Sequence, residues 1–151
     1  MATKRAYKPK NDNEFLEQLA FIRFVSGFRY SVVEQRWPQI RKAFSNFSVK
    51  KLAAATDSDA NKILGSKGMI KNSGKINDVL ANAKICREIA EGHGSALKWI
   101  AKVKSGYRKD PLLSPSLRES FRRFRGIGET TSVWLDSVHG AKKDYVEYDV
   151  P

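Results

Sequence analysis

The sequence predicts an all-α domain, and three observations predict it. Apolar residues recur at three- and four-residue spacing through most of the chain, capping residues precede most of those runs, and only one short stretch alternates as a strand would. At 151 residues the chain has the length of one compact domain. Residues 1–11 carry four Lys or Arg and Pro9 without periodicity, so they are expected to form a flexible basic arm, with 12–151 as a single helical domain.

Phe15, Leu16, Leu19, Ile22 and Val25 share one face of a helix predicted over 13–28, which Gly27 would end. Ser31 and Glu34 have capping-box spacing for a second helix reaching about Phe44, with Pro38 kinking or splitting it. Ser48 and Thr56 suit the N-caps of short helices over 49–55 and 57–64, and Gly65 would close the latter. After Gly74, the residues Ile76, Val79, Leu80, Ala83, Cys86 and Ile89 line one face of a long helix closing at Gly92. Ser95 opens another helix to about Val103, and 105–115, with Gly106, Pro111 and Pro115, reads as the main linker. Ser116 caps a helix over 117–125, Gly126-Ile127-Gly128 interrupts it, and a helix resumes over 130–139. That is a helix-hairpin-helix over 117–140. Tyr145–Val150 is the alternating stretch.

Composition narrows the function. No apolar run approaches the ~20 residues that cross a bilayer, and no apolar segment follows the N-terminal basic residues as in a secretory signal. The expected place is the cytoplasm, or the nucleoid of a bacterial cell. The lone Cys86 lies between Ile85 and Ile89 and fits a buried small hydrophobe. His93 and His139 have no partner at ligand spacing, so neither zinc nor another cofactor is expected. Against these exclusions stands a net charge of +12, from 28 Lys and Arg and 16 Asp and Glu. Such a surface attracts polyanions through phosphate neutralisation and counterion release, and a monomer acting on duplex DNA is the expected assembly.

The hairpin gives that attraction a place. Glycines at 126 and 128 remove side-chain bulk, the first-turn amides of the following helix face outward with the positive end of its dipole, and Ile127 can lock the two helices together. Gly126, Ile127, Gly128, Thr130 and Thr131 would hold a phosphate, with Arg123 and Arg125 beside them. An ordinary helical turn has the same glycines, and the neighbouring arginines and the overall charge favour nucleic-acid docking.

Three stretches carry a family resemblance. Ser26-Gly-Phe-Arg-Tyr-Ser-Val-Val-Glu-Gln-Arg with Arg41-Lys-Ala-Phe, then Gly68-Met-Ile-Lys-Asn-Ser-Gly-Lys-Ile with Asn82-Ala-Lys, then Phe124-Arg-Gly-Ile-Gly-Glu-Thr-Thr occur in the order of three segments of the 3-methyladenine DNA glycosylase I branch. In these stretches the chain resembles that branch of the helix-hairpin-helix DNA glycosylases. The resemblance implies a helix-hairpin-helix glycosylase-like helical fold and excision of a flipped, damaged, alkylated purine. A relative that binds DNA without excising a base is the alternative. Tyr30 stands where the branch has a tryptophan, Ile22 where it has a base-recognising glutamate, and its zinc site near both termini has no counterpart here.

Other branches place a catalytic aspartate some twenty residues after the hairpin, which implies Asp149, with Asp144 as the alternative. The base pocket would draw on Tyr30, Phe28, Phe24 and Trp37, although Phe24 and Trp37 suit a plain core as well. Arg29, Lys71 and Lys75 would contact the DNA backbone without reading sequence.

Overall fold

The protein's structure is a computed structural model that describes residues 2–151. Its helices are α1 (Asp12–Val25), α2 (Tyr30–Ala43), α3 (Val49–Ala53), α4 (Asp57–Leu64), α5 (Ser73–His93), α6 (Ala96–Lys109), α7 (Leu117–Phe121) and α8 (Glu129–His139). Helix α1 starts where the Asn11 side chain accepts the Glu14 amide, and α5 where the Asn72 side chain accepts that of Lys75. Both helices are buried on two sides, and so they divide the core in two. Leu16, Ala20 and Phe24 of α1 meet Ile76, Val79 and Ala83 of α5 in one cluster with α2, α3 and α4. Phe15, Leu19 and Ile22 meet Cys86 and Ile89 in a second cluster with α6, α7, Ile127 and Leu135 of α8. The hairpin is thereby built into the second lobe, and α1 borders both. No helix of the described residues is long and apolar enough to cross a membrane.

Several boundaries differ from expectation. Helix α2 begins at Tyr30 with Arg29 at its cap position, two residues too early for Ser31 to cap it, and Glu34 pairs instead with Lys4 at 3.0 Å. Pro38 lies inside α2 without ending it. Helix α5 continues past Gly92 to Gly94, whose φ of +91° suits glycine. Helix α6 runs through Gly106 to Lys109, so the linker starts only at Asp110.

The flexible basic arm is the larger correction. Ala2–Tyr7 forms strand β1, which pairs antiparallel with β2 (Tyr145–Val150) in six positions from Ala2 opposite Val150 to Tyr7 opposite Tyr145. The arm's charge is what made it look solvated, yet the charge is answered across the ladder. Arg5 lies 3.5 Å from Glu147 and 4.4 Å above the Tyr145 ring, while Ala6 turns inward and is buried. No local pattern could reveal a partner at the other end of the chain.

Candidate functional site

Where the two lobes meet beside the sheet, a cavity of about 420 Å³ opens. Phe21, Ile22 and Val25 of α1 line it, with Phe28 and Arg29 from the following turn, Thr130 and Trp134 from α8, and Tyr148 and Asp149 from β2. Tyr30 lines it at the first position of α2, and its hydroxyl lies 2.7 Å from that of Tyr148. Burial, then this bond, raise the Tyr30 phenol above its ordinary pKa, so it stays neutral. The Tyr148 ring meets Trp134 edge-on at 5.9 Å, and Tyr30 meets Phe21 at 5.5 Å. Flat rings at such angles offer stacking faces while remaining locked by their neighbours.

Asp149, an exposed residue, is the one acidic residue lining this cavity. It follows Tyr148 in β2 and stands opposite Thr3 of β1, whose hydroxyl donates to its Oδ1 at 3.4 Å. The ladder fixes the backbone on which this carboxylate is carried. Asp144 is placed differently, before β2 begins, where its carbonyl accepts the Lys8 amide and its side chain borders an open groove with Lys142 and Lys143. The expectation that Asp144 could serve the same pocket is corrected on that ground.

Of the predicted pocket aromatics, Tyr30 and Phe28 line the cavity. Phe24 does not, because it is fully buried between Trp37 and Phe44 in the first core cluster. Trp37 stands beyond the Tyr30–Tyr148 pair, in a second cavity of about 350 Å³, where its indole N–H donates to Glu17 at 2.9 Å and its ring stacks on Phe47. Helical spacing placed both on the inward face of their helices, and that face is core.

Lys75 is also corrected. It is 5% exposed, and its ammonium donates to the carbonyls of Phe24 at 2.8 Å and Ser26 at 3.0 Å, closing the end of α1. A phosphate outside the protein has no access to it. Lys71 is exposed, with its ammonium on the Leu64 carbonyl at 3.1 Å, and Arg29 is exposed at the cavity rim.

The hairpin is more irregular than two helices joined by glycines. Helix α7 stops at Phe121, a turn carries residues 122–125, and Gly126 takes φ +79°. A Cβ there would overlap the side chain of Arg23, which packs over it. Ile127 is buried in the second core cluster. Gly128 caps α8, its amide donating to the Thr131 hydroxyl at 2.9 Å, and a Cβ on it would meet nothing within 4 Å. Space is therefore free outside Gly128, where the first-turn amides of α8 lack helical acceptors. Arg123 and Arg125 are exposed beside it, the Arg123 guanidinium 5.5 Å above the Trp99 ring.

The sequence assigned no site role to Asn82, Trp134, Tyr148 or Thr3. For Asn82 a signal existed: an amide set in the apolar stripe of α5 is costly unless it has partners, and this one is 1% exposed. Trp134 and Tyr148 carried none, since what makes them wall residues is the meeting of α8 with β2.

A model of the methyladenine glycosylase family matches residues 6–117. Among solved structures, a 3-methyladenine DNA glycosylase I is similar with a TM-score of 0.72 and 18% identity, covering 93% of this chain and 85% of that one. A structure of the 3-methyladenine DNA glycosylase I of Staphylococcus aureus that addresses the structural basis of 3-methyladenine recognition gives 0.71 and 16% over 87% and 78%. A glutamate-to-glutamine variant of the Staphylococcus aureus protein gives 0.70 and 16% over 86% and 77%. At such identity the likeness to these structures is one of fold. No curated protein matches the sequence.

Proposed function

This chain belongs to the methyladenine glycosylase family, and from that premise we propose that it docks on duplex DNA and excises a flipped, alkylated purine. The observation that carries the reading is Asp149 lining the same cavity as Tyr30.

The hairpin would take a phosphate at Gly128, positioning the duplex without reading its sequence. A damaged nucleotide flips into the cavity, at a cost of a few kcal/mol in unstacking that the faces of Tyr30, Phe28 and Trp134 partly return. An N-alkylated purine carries positive charge. When its bond to the sugar C1′ breaks, the electron pair passes to the base and neutralises it, and positive charge develops on the sugar. The Asp149 carboxylate stabilises that charge and orients the water whose oxygen bonds to C1′, while the water's proton passes to the carboxylate or to solvent. Tyr30 stays neutral throughout and contributes its face.

Ile22 favours a second reading. It lines the cavity at the position where the resemblance places a base-recognising glutamate, which suits a relative that binds DNA without excising. One experiment separates the two. Base release from methylated duplex is measured for the parent and for Asp149→Asn, together with duplex affinity. Excision is expected to fall by ~100-fold or more with affinity within about twofold, since the amide keeps shape and loses charge. A parent that binds methylated duplex and releases no base would establish the second reading.

A further inference from the structure

We propose that Asn82 is a positioning residue that sets where the hairpin's phosphate seat stands relative to the base cavity. The inference rests on the glycosylase reading above for its consequence in excision, but its geometry stands apart from it.

Asn82 uses both ends of its amide on a single residue 43 positions away. Its Nδ2 donates to the Arg125 carbonyl at 3.0 Å, and its Oδ1 accepts the Arg125 amide at 2.7 Å. Such a pair fixes the orientation of that residue as well as its position. Gly126 follows immediately in the left-handed region. One turn before Asn82 on the same helix, Asp78 accepts from Arg23 Nε at 2.7 Å, and Arg23 is the side chain that covers Gly126. Arg23 in turn follows Ile22, a cavity-wall residue on α1.

The loop is thus held from two directions by α5 and α1, the two helices that span both core clusters. Ile127 also anchors it, but apolar contact is non-directional and would let the loop turn. The amide pair supplies the direction. Residues 122–128 have little regular structure of their own to do so. A buried amide is costly where an apolar side chain of similar volume would pack, and here the partners it satisfies lie in the loop that presents the phosphate seat.

The test compares Asn82→Leu, which keeps the branched shape and removes both bonds, with Val79→Ala, a core change on the same helix away from the hairpin. Thermal melting, duplex affinity across a salt series, and base release from methylated duplex are measured well below the melting temperatures. Asn82→Leu is expected to melt cooperatively, bind duplex roughly tenfold more weakly and show a log–log salt slope shallower by about one phosphate. Val79→Ala is expected to melt earlier while keeping the parent's affinity and slope. Asn82→Ala is expected to behave like Asn82→Leu in binding. If the Asn82 variants that fold bind with the parent's affinity and slope, the proposal is overturned. If neither folds, the residue is structural only, and the proposal fails as well. A parent that releases no base sinks the excision reading instead and leaves the affinity and slope comparison to decide the role of Asn82.

Discussion

Lys75 and His139 are both titratable groups taken out of water, and each carries a measurable consequence. Burial first, and then nearby Arg23, lower the Lys75 pKa from its ordinary value, while its hydrogen bonds satisfy the carbonyls of Phe24 in α1 and of Ser26 just beyond it. Lys75→Met leaves both carbonyls without a donor, and stability is expected to fall by roughly 2–4 kcal/mol in urea titrations. The salt slope of duplex binding should not change, whereas a backbone-contacting lysine would lower it by about one. His139 is packed against Phe15 and Phe121 with its Nε2 2.8 Å from Gln18. Burial, then Lys104 and Lys8, push its pKa down from 6.5 to about 4. The folded ring therefore stays neutral at a pH where the unfolded one takes a proton. Its contribution is complete above pH 6.5 and is lost as pH falls toward 4, on the order of 3 kcal/mol in all. Urea titrations from neutral to acid pH measure this, and His139→Gln should flatten that part of the curve. The sequence makes each residue's chemistry legible but not the side of the molecule it meets. Lys75 follows a glycine in a polar stretch and reads as solvated, yet the end of another helix closes over it.

At the scale of elements, the two hairpin glycines separate into different roles. Gly126 needs its left-handed φ and the space under Arg23, so Gly126→Ala is expected to cost about 1–2 kcal/mol in backbone strain alone. Gly128 has an ordinary φ and free space, so Gly128→Asp should fold nearly as the parent does and lose duplex affinity by more than about tenfold, through charge placed against a phosphate. Melting and duplex titration of the two variants should rank them in opposite orders, and a Gly128→Asp protein with parental affinity would make the hairpin a mere turn. Elements specified by neighbouring residues were legible. Asp57–Leu64 forms with Thr56 and Asp59 as its capping box, and α5 follows its apolar stripe. Elements that depend on distant partners were not. The β1 strand needs β2, and the Ser31 cap lost its glutamate to Lys4 of that strand.

At the scale of the whole molecule, charge and lobes decide how it meets a polyanion. The net charge of +12 is carried at the surface, Lys75 being the one buried Lys, Arg, Asp or Glu among the described residues. Duplex affinity is expected to fall on the order of a thousandfold between about 50 and 200 mM salt, with little dependence on sequence. Titration of a labelled duplex at several salt concentrations measures it, and a flat response would remove the nucleic-acid reading. The fold class and the hairpin were legible because periodicity and glycine spacing are local. The cavity was legible only in part: Tyr30, Phe28 and Asp149 belong to it, while the walls from α8 and β2 follow from how the lobes close. The ladder that carries Asp149 joins residues separated by nearly the whole chain, so closing it is among the costliest loops the protein makes and belongs late in folding. A growing polypeptide can thus complete its helical body while it still lacks a placed carboxylate. Two-stranded ribbons are marginal by themselves, so in the finished molecule the same ribbon should be among the first segments to open. If Asp149 acts as proposed, excision is then acquired last in folding and surrendered first under heat, with hydrogen exchange along β1 and β2 outpacing that of α1 and α5.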